Sequence, residues 1–308
     1  MKKQLFFQSA VVSTILSYLL IFVGGLVRVS GSGMGCPDWP KCFGRWIPPT
    51  SVDQIPSYID PTAFNIVLAW IEYSNRSLGV LVGLSIIVLN IIAIYYFRKE
   101  TKLLLSAIFS LILVVANGGL GAIVVSSILN PFLVSLHMIL ALMLVSVLSY
   151  ACIESYKLIH EEKFKNLQGN RALSNSLILF WLLIFIEILL GTGIRTNLEL
   201  ISIDNPLLSK GELLISLDSY KYFHSFLGFT LLFLSIYIYA KLKNHNLFIA
   251  KFLGIFILGM IIVQIFLGEM MVFFELPQLT RLFHTWGSSW LVGVIIILYN
   301  CISNEQSK

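Results

Sequence analysis

The chain has 308 residues, 57% hydrophobic and 12% charged, with a net charge of +5 and a mean hydropathy of +0.86. A soluble globular domain carries about 25% charged residues, so this composition excludes a soluble core, and it equally excludes intrinsic disorder. The positive charge does not point to nucleic acid; in a chain this apolar, what matters is where the basic residues sit.

Eight apolar runs can cross a bilayer as helices of about 20 residues: 7–27, 73–97, 103–125, 132–152, 173–194, 221–240, 248–272 and 282–301. Their excess of Phe, Ile and Leu suits helices better than the alternation of a membrane barrel. The first run follows Met1-Lys2-Lys3. It is too long for a signal-peptide core and has no small-x-small cleavage site, so it reads as an uncleaved span. With a cytoplasmic N-terminus the inner segments hold 13 of the 21 Lys and Arg: Lys2, Lys3, Arg98, Lys99, Lys102, Lys157, Lys163, Lys165, Arg171, Lys241, Lys243, Lys251 and Lys308. The outer segments hold Arg28, Lys41, Arg45, Arg76, Arg195, Lys210, Lys221 and Arg281. This bias predicts a multi-pass plasma-membrane protein with both termini in the cytoplasm.

The loop after span one reads Cys36-Pro37-Asp38-Trp39-Pro40-Lys41-Cys42. A disulfide persists outside the cytoplasm, and two prolines stiffen the short connection; the alternative is two unpaired thiols. Two thiolates without a nearby His make only half a zinc site. Cys152 and Cys301, at inner span ends, read as reduced apolar packers.

An internal repeat runs through the chain. Gly24-Gly25-Leu26-Val27-Arg28 closes span one and Gly191-Thr192-Gly193-Ile194-Arg195 closes span five. Asn75 pairs with His224, Leu120-Gly121 with Leu267-Gly268, and His137 with His284, at offsets of 167, 149, 147 and 147. Four matches in order imply that spans two to four recur as six to eight, a parallel repeat about an axis near the membrane normal. The expected fold is an all-α integral membrane protein whose eight transmembrane helices form two pseudo-symmetric four-helix bundles. They would span 1–152 and 173–308, with a cytoplasmic linker at 153–172.

Of the five histidines, His160 and His245 fall in charged inner loops. His137, His224 and His284 fall inside spans, near their outer ends and at one depth, and ionisable residues in a membrane are costly and functional by default. Two imidazoles from separate helices, without thiolates or a carboxylate ring, suit haem iron. On this reading His224 and His284 are axial ligands, with Gly228 and Gly268 leaving room for the macrocycle. Arg195 and Arg281 are candidates for the propionates, or simply snorkel to the interface. The first half then holds an equivalent site with His137 and, in place of a second histidine, Asn75, a poor iron ligand. Glu72 lies one turn before Asn75; it either moves protons or orients water at this site, or is a helix-start residue favoured by the macrodipole.

These residues resemble the haem A synthase family over nearly the whole chain. The likeness rests on Gly24-Gly25-Leu26-Val27-Arg28, on Gly33-x-x-Cys36-Pro37-Asp38-Trp39-Pro40-x-Cys42-x-Gly44, on Glu72-Tyr73-x-x-Arg76-x-x-Gly79, on Leu136-His137, and on His224 and His284. The resemblance implies oxidation of the C8 methyl of haem O to a formyl group by successive hydroxylations, giving haem A for cytochrome c oxidase. It implies a haem b (iron) held by His224 and His284, and a substrate haem site with His137 as ligand, Glu72 as essential carboxylate and Asn75, Arg76 and Arg28 around it. It matches Cys36 and Cys42 to the family's outer cysteine pair. The partners it suggests are haem O, haem A, the haem O synthase, cytochrome c oxidase assembly factors, an electron acceptor and a second copy of the chain, with no nucleic acid. One position departs from the pattern: the usual Glu-x-x-His-Arg has Asn75 where the histidine belongs. Two other classes compete, a non-catalytic di-haem b-type cytochrome and a transporter or channel.

Overall fold

The computed structural model describes residues 1–57, 59–164, 171–217 and 219–303, and all regular elements among them are helical. Residues 165–170 of the expected linker, with Lys165, and the terminal Lys308 lie outside the described residues. In chain order the helices are α1 (Lys2–Ser30), α2 (Ile66–Tyr96), α3 (Thr101–Ser126), α4 (Pro131–Ile159), the single turn α5 (Glu161–Phe164), α6 (Arg171–Asp204), the short α7 (Lys210–Ile215), α8 (Tyr220–Leu242), α9 (Phe248–Phe273) and α10 (Gln278–Ile302). Eight of them are long and apolar enough to cross a membrane, so the chain is a multi-pass membrane protein.

The helices overrun the apolar runs that announce them. Helix α2 starts at Ile66 rather than 73, because Asn65 caps it: its Oδ1 accepts from the N–H groups of Val67 and Leu68. Helix α4 continues to Ile159, into the expected linker, and α6 to Asp204. Hydropathy marks the lipid-facing band, whereas a helix continues for as long as its backbone groups find partners.

The chain divides into two compact units, Met1–Ala151 and Cys152–Lys308, with the division inside α4. In the first, α1 packs along α2 and α2 along α3. The Asn90 amide, buried at 4% exposure, ties α2 to α3 by donating to Ile86 O (2.9 Å) and Ala107 O (2.8 Å). In the second, α6 packs against α8 and α10, and α9 packs against the same two helices. Buried serines bond their own helix, as Ser17 Oγ does to Ser13 O at 2.8 Å. A hydroxyl bonded in this way keeps a partner in an apolar surround. Helix α7 opens with a capping box, in which the Ser209 N–H and hydroxyl hold the exposed Glu212 carboxyl below its usual range.

The repeat extends to the backbone. The α3–α4 turn places Ile128 and Leu129 at φ 55° and 60°; the α9–α10 turn places Glu275 and Leu276 at φ 52° and 61°. Leu129 N–H reaches Val124 O at 2.9 Å and Leu276 N–H reaches Met271 O at 2.8 Å. Two successive left-handed non-glycine residues are costly. Both turns lie eight residues before a span histidine, His137 or His284, and so fix the same register in both units.

Candidate functional site

In the first unit the cysteine loop is built onto α2. Cys36 and Cys42 are joined in a disulfide, with Cα atoms 4.7 Å apart. The Asp38 carboxylate closes the loop from inside, accepting from Phe43 N–H (2.6 Å) and Gly44 N–H (2.8 Å), and Gly44 has φ +72°. Cys36, Cys42, Phe43 and Ala69 form a small buried core, with Phe64 edge-on to Phe43. Gly35 sits against the Leu68 carbonyl, where any Cβ would overlap backbone, so the loop lies directly on the first turns of α2.

Arg76 fastens this loop to Glu72. Its Nε donates to Glu72 Oε1 at 3.0 Å, its Nη1 to Asp38 O (2.6 Å) and Lys41 O (2.9 Å), and its Nη2 to Cys36 O (3.1 Å). A buried carboxylate is tolerated when its charge is paired and hydrogen-bonded, and Glu72 is only 4% exposed. It lies six residues inside α2, behind the Asn65 cap, so the helix-start reading of Glu72 is excluded. Arg76 thus spends its guanidinium on the loop and on Glu72.

The site residues pair with glycines in a pattern that both units share. A Cβ on Gly24 of α1 would lie 3.6 Å from Asn75 Oδ1, and one on Gly191 of α6 would lie 3.3 Å from His224 Cε1. A Cβ on Gly121 of α3 would lie 3.4 Å from His137 Cε1, and one on Gly268 of α9 would lie 3.8 Å from His284 Cε1. Each ring, and the amide in place of the missing ring, therefore packs edge-on against a glycine of the neighbouring helix. Gly268 makes room for the His284 ring, and Gly228 makes room for a carboxylate: its Cβ would lie 3.4 Å from Glu187 Oε1.

Each histidine has an acceptor beside it. His137 faces the main-chain carbonyl of Asn117, His284 that of Gln264, and Asn117 and Gln264 are themselves related by the 147-residue offset. His224 Nδ1 lies 3.1 Å from Glu187 Oε1. None of the three Nδ1 atoms has a hydrogen bond of good geometry. Such bonds commonly tighten only when a site is filled. With Nδ1 of His224 turned to Glu187, its Nε2 keeps a lone pair for a metal. The His224 and His284 ring centres are 6.2 Å apart, with planes at 67°. Two imidazoles so placed could hold one metal centre between them.

The remaining expected residues sit nearby in sequence and helix position. Arg28 lies in the last turn of α1 and its repeat partner Arg195 one turn beyond Gly191 on α6. Arg281 lies three residues before His284 on α10, and its buried Nε has no hydrogen-bond partner. Sequence reasoning missed Glu187, although it is the one charged residue in the apolar run 173–194 and stands one turn before Gly191. It also missed Asp38 as the loop's internal anchor, for which a carboxylate enclosed between two cysteines was the available signal.

Three similar proteins, each named Heme A synthase, come from Geobacillus thermodenitrificans (30% identical over 136 residues), Geobacillus kaustophilus (26% over 137) and Listeria monocytogenes serotype 4a (27% over 140). The aligned stretches cover 44%, 44% and 46% of this chain and 38%, 38% and 41% of those proteins. The chain therefore spans about two fifths of the length of the curated relatives it matches. The family described as Cytochrome oxidase assembly protein matches residues 8–296. A match over nearly the whole chain, both units included, places it by descent: the chain belongs to the cytochrome oxidase assembly protein family.

Proposed function

We propose that this protein is a haem A synthase, oxidising the C8 methyl of haem O to the formyl group of haem A by successive hydroxylations. In this reading it is a multi-pass plasma-membrane protein with cytoplasmic termini, built as two four-helix bundles. The observation that carries it is the contrast between two sites built on one plan. The second unit has two facing imidazoles, whereas the first has His137, Asn75 and the buried pair Glu72–Arg76.

The second site fits a resident haem b. An imidazole nitrogen lies about 2 Å from a metal it ligates and about 1 Å from its own ring centre. Two imidazoles holding one iron between them would therefore have centres about 6 Å apart, and the separation here is 6.2 Å. When bound, haem b supplies an iron that exchanges single electrons. His224 and His284 would hold it, and Arg195 and Arg281 would neutralise its propionates.

The first site is for substrate haem O. His137 anchors it from α4, Asn75 leaves the opposite face without a strong ligand, and Arg28 lies at the propionate end. Glu72 is the proton-handling group for oxidation at the methyl carbon, and Arg76 keeps that carboxylate in place by holding it against the disulfide loop. The electrons leave to an acceptor outside the chain. The haem O synthase and the assembly factors of cytochrome c oxidase are its supply and delivery partners.

Glu72→Gln tests the reading. It preserves shape and the Arg76 contact but removes the base, and general acid–base groups contribute about 10²–10⁴-fold. Expressed with a haem O supply, the variant should keep its resident haem and form at least about 100-fold less haem A. Wild-type protein that forms no haem A, or a Glu72→Gln variant at parental turnover, would promote the non-catalytic di-haem cytochrome instead.

A further inference from the structure

We infer that Glu187 is a positioning residue for the resident haem: its carboxylate receives the Nδ1 proton of His224, fixes that ring, and strengthens the imidazole as an iron ligand. This rests on the proposed His224–His284 haem site.

The geometry comes from both sides of the ring. Glu187 Oε1 stands 3.1 Å from His224 Nδ1. One turn further along α6, Gly191 meets Cε1 of the same ring, so α6 presents a carboxylate and a bare backbone to one imidazole edge. Gly228, one turn after His224 on α8, leaves the space that the carboxylate occupies. The Glu187 side chain is mostly buried, at 16% exposure, and its Oε2 has no hydrogen-bond partner. A carboxylate at this depth is costly unless it serves a partner, and the partner it faces is the ring.

The repeat supplies an internal control. Gly191 corresponds to Gly24, so Glu187 corresponds to Leu20 of α1. The unit with Asn75 in the ring position has an apolar residue where the carboxylate would stand, and the unit with an imidazole has the carboxylate. His137 and His284 face main-chain carbonyls instead. His224 is thus the one span histidine whose Nδ1 meets a charged acceptor. A charged acceptor increases the electron donation of the ring and favours the ferric state.

The test uses purified full-length protein. Glu187→Gln should retain haem, with a raised midpoint potential in a redox titration. Glu187→Ala should lose haem on the order of 10- to 100-fold more readily, the usual cost of removing an outer-shell partner, and show a high-spin fraction. Glu187→Asp should restore low-spin character in part. Parental potential and spectra in both Gln and Ala variants would overturn the assignment. If no variant accumulates, EPR of the ferric wild-type haem decides: a compressed g spread supports a strengthened imidazole, and the pattern of two ordinary neutral imidazoles overturns it. Wild-type protein without a bis-histidine haem signal would instead overturn the underlying site, an outcome distinct from a failure of Glu187.

Discussion

The two units place the same kinds of groups at the same positions and dedicate them differently. In the first, α2 brings Asn75 against Gly24 and carries its carboxylate, Glu72, on the same helix, paired with Arg76. In the second, α8 brings His224 against Gly191, and the carboxylate comes from α6 and faces the ring. The position corresponding to Glu72 is Lys221, whose Nζ donates to Leu214 O (3.2 Å) and Ile215 O (3.4 Å) behind α7. A carboxylate beside a ring strengthens a fixed ligand. On the proposed function, the one paired with an arginine serves the chemistry. The two units share a scaffold and differ in where one acid is placed.

The largest effect should separate the units outright. His224→Ala or His284→Ala should abolish the low-spin haem signal and much of the folded protein in membranes, because a resident cofactor stabilises the unit that binds it. His137→Ala should keep that signal and lose haem A formation. Haem content and the reduced-minus-oxidised spectrum of each purified variant measure this, and a double His224/His284 variant with an intact bis-histidine spectrum would end the distinction.

Converting one site toward the other comes next. Asn75→His restores the second ring, and Gly24 offers it the bare backbone that Gly191 offers His224. With haem supplied, the variant should gain a second low-spin component and form less haem A, since both iron faces of the first site are then taken. An unchanged spectrum with unchanged turnover would show that the two sites are not equivalent in plan.

Much of this comparison was legible in the sequence, and the part that was not has a physical cause. The eight helices followed from apolar runs because lipid imposes that pattern. The pairing of His137 with His284 followed from a constant offset. Helix ends did not follow: Asn65 starts α2 seven residues ahead of residue 73, where a capping side chain overrides hydropathy. The use of Arg76 was also hidden. Its partners are three main-chain carbonyls of a loop 35 to 40 residues away, and main-chain acceptors carry no residue-type signal. Glu187 was visible as a lone charge but had no motif around it until the fold set His224 beside it.

The loop clasp gives a smaller, one-sided effect. Arg76→Gln removes the charged donor that ties Cys36, Asp38 and Lys41 to Glu72, and hydrogen bonds to charged groups contribute about 1.5–3 kcal/mol each. Amide exchange over residues 36–45 should speed up roughly 10- to 100-fold by that measure. Haem A formation should fall with it, while the second unit's haem spectrum stays parental. Exchange unchanged across the loop would mean that the disulfide and Asp38 alone hold it.

The finest distinction lies in the glycines. Alanine is better than glycine in a helix interior by about 1 kcal/mol, so substitution stabilises wherever a methyl group fits. At Gly24 and Gly268 the added Cβ would meet Asn75 Oδ1 at 3.6 Å and His284 Cε1 at 3.8 Å, ordinary contact distances. At Gly191 it would meet His224 Cε1 at 3.3 Å, closer than a relaxed contact, and the ring has Glu187 on its Nδ1 side. A ring that gives way here also shifts relative to the carboxylate. Gly24→Ala and Gly268→Ala should therefore melt at or slightly above the parent, with unchanged haem spectra. Gly191→Ala should melt lower and shift the haem potential in the same direction as Glu187→Gln, because both changes loosen one contact. A Gly191→Ala protein with parental stability and potential would show that His224 is not held between α6 and the iron, and the contrast between the two units would reduce to Asn75 alone.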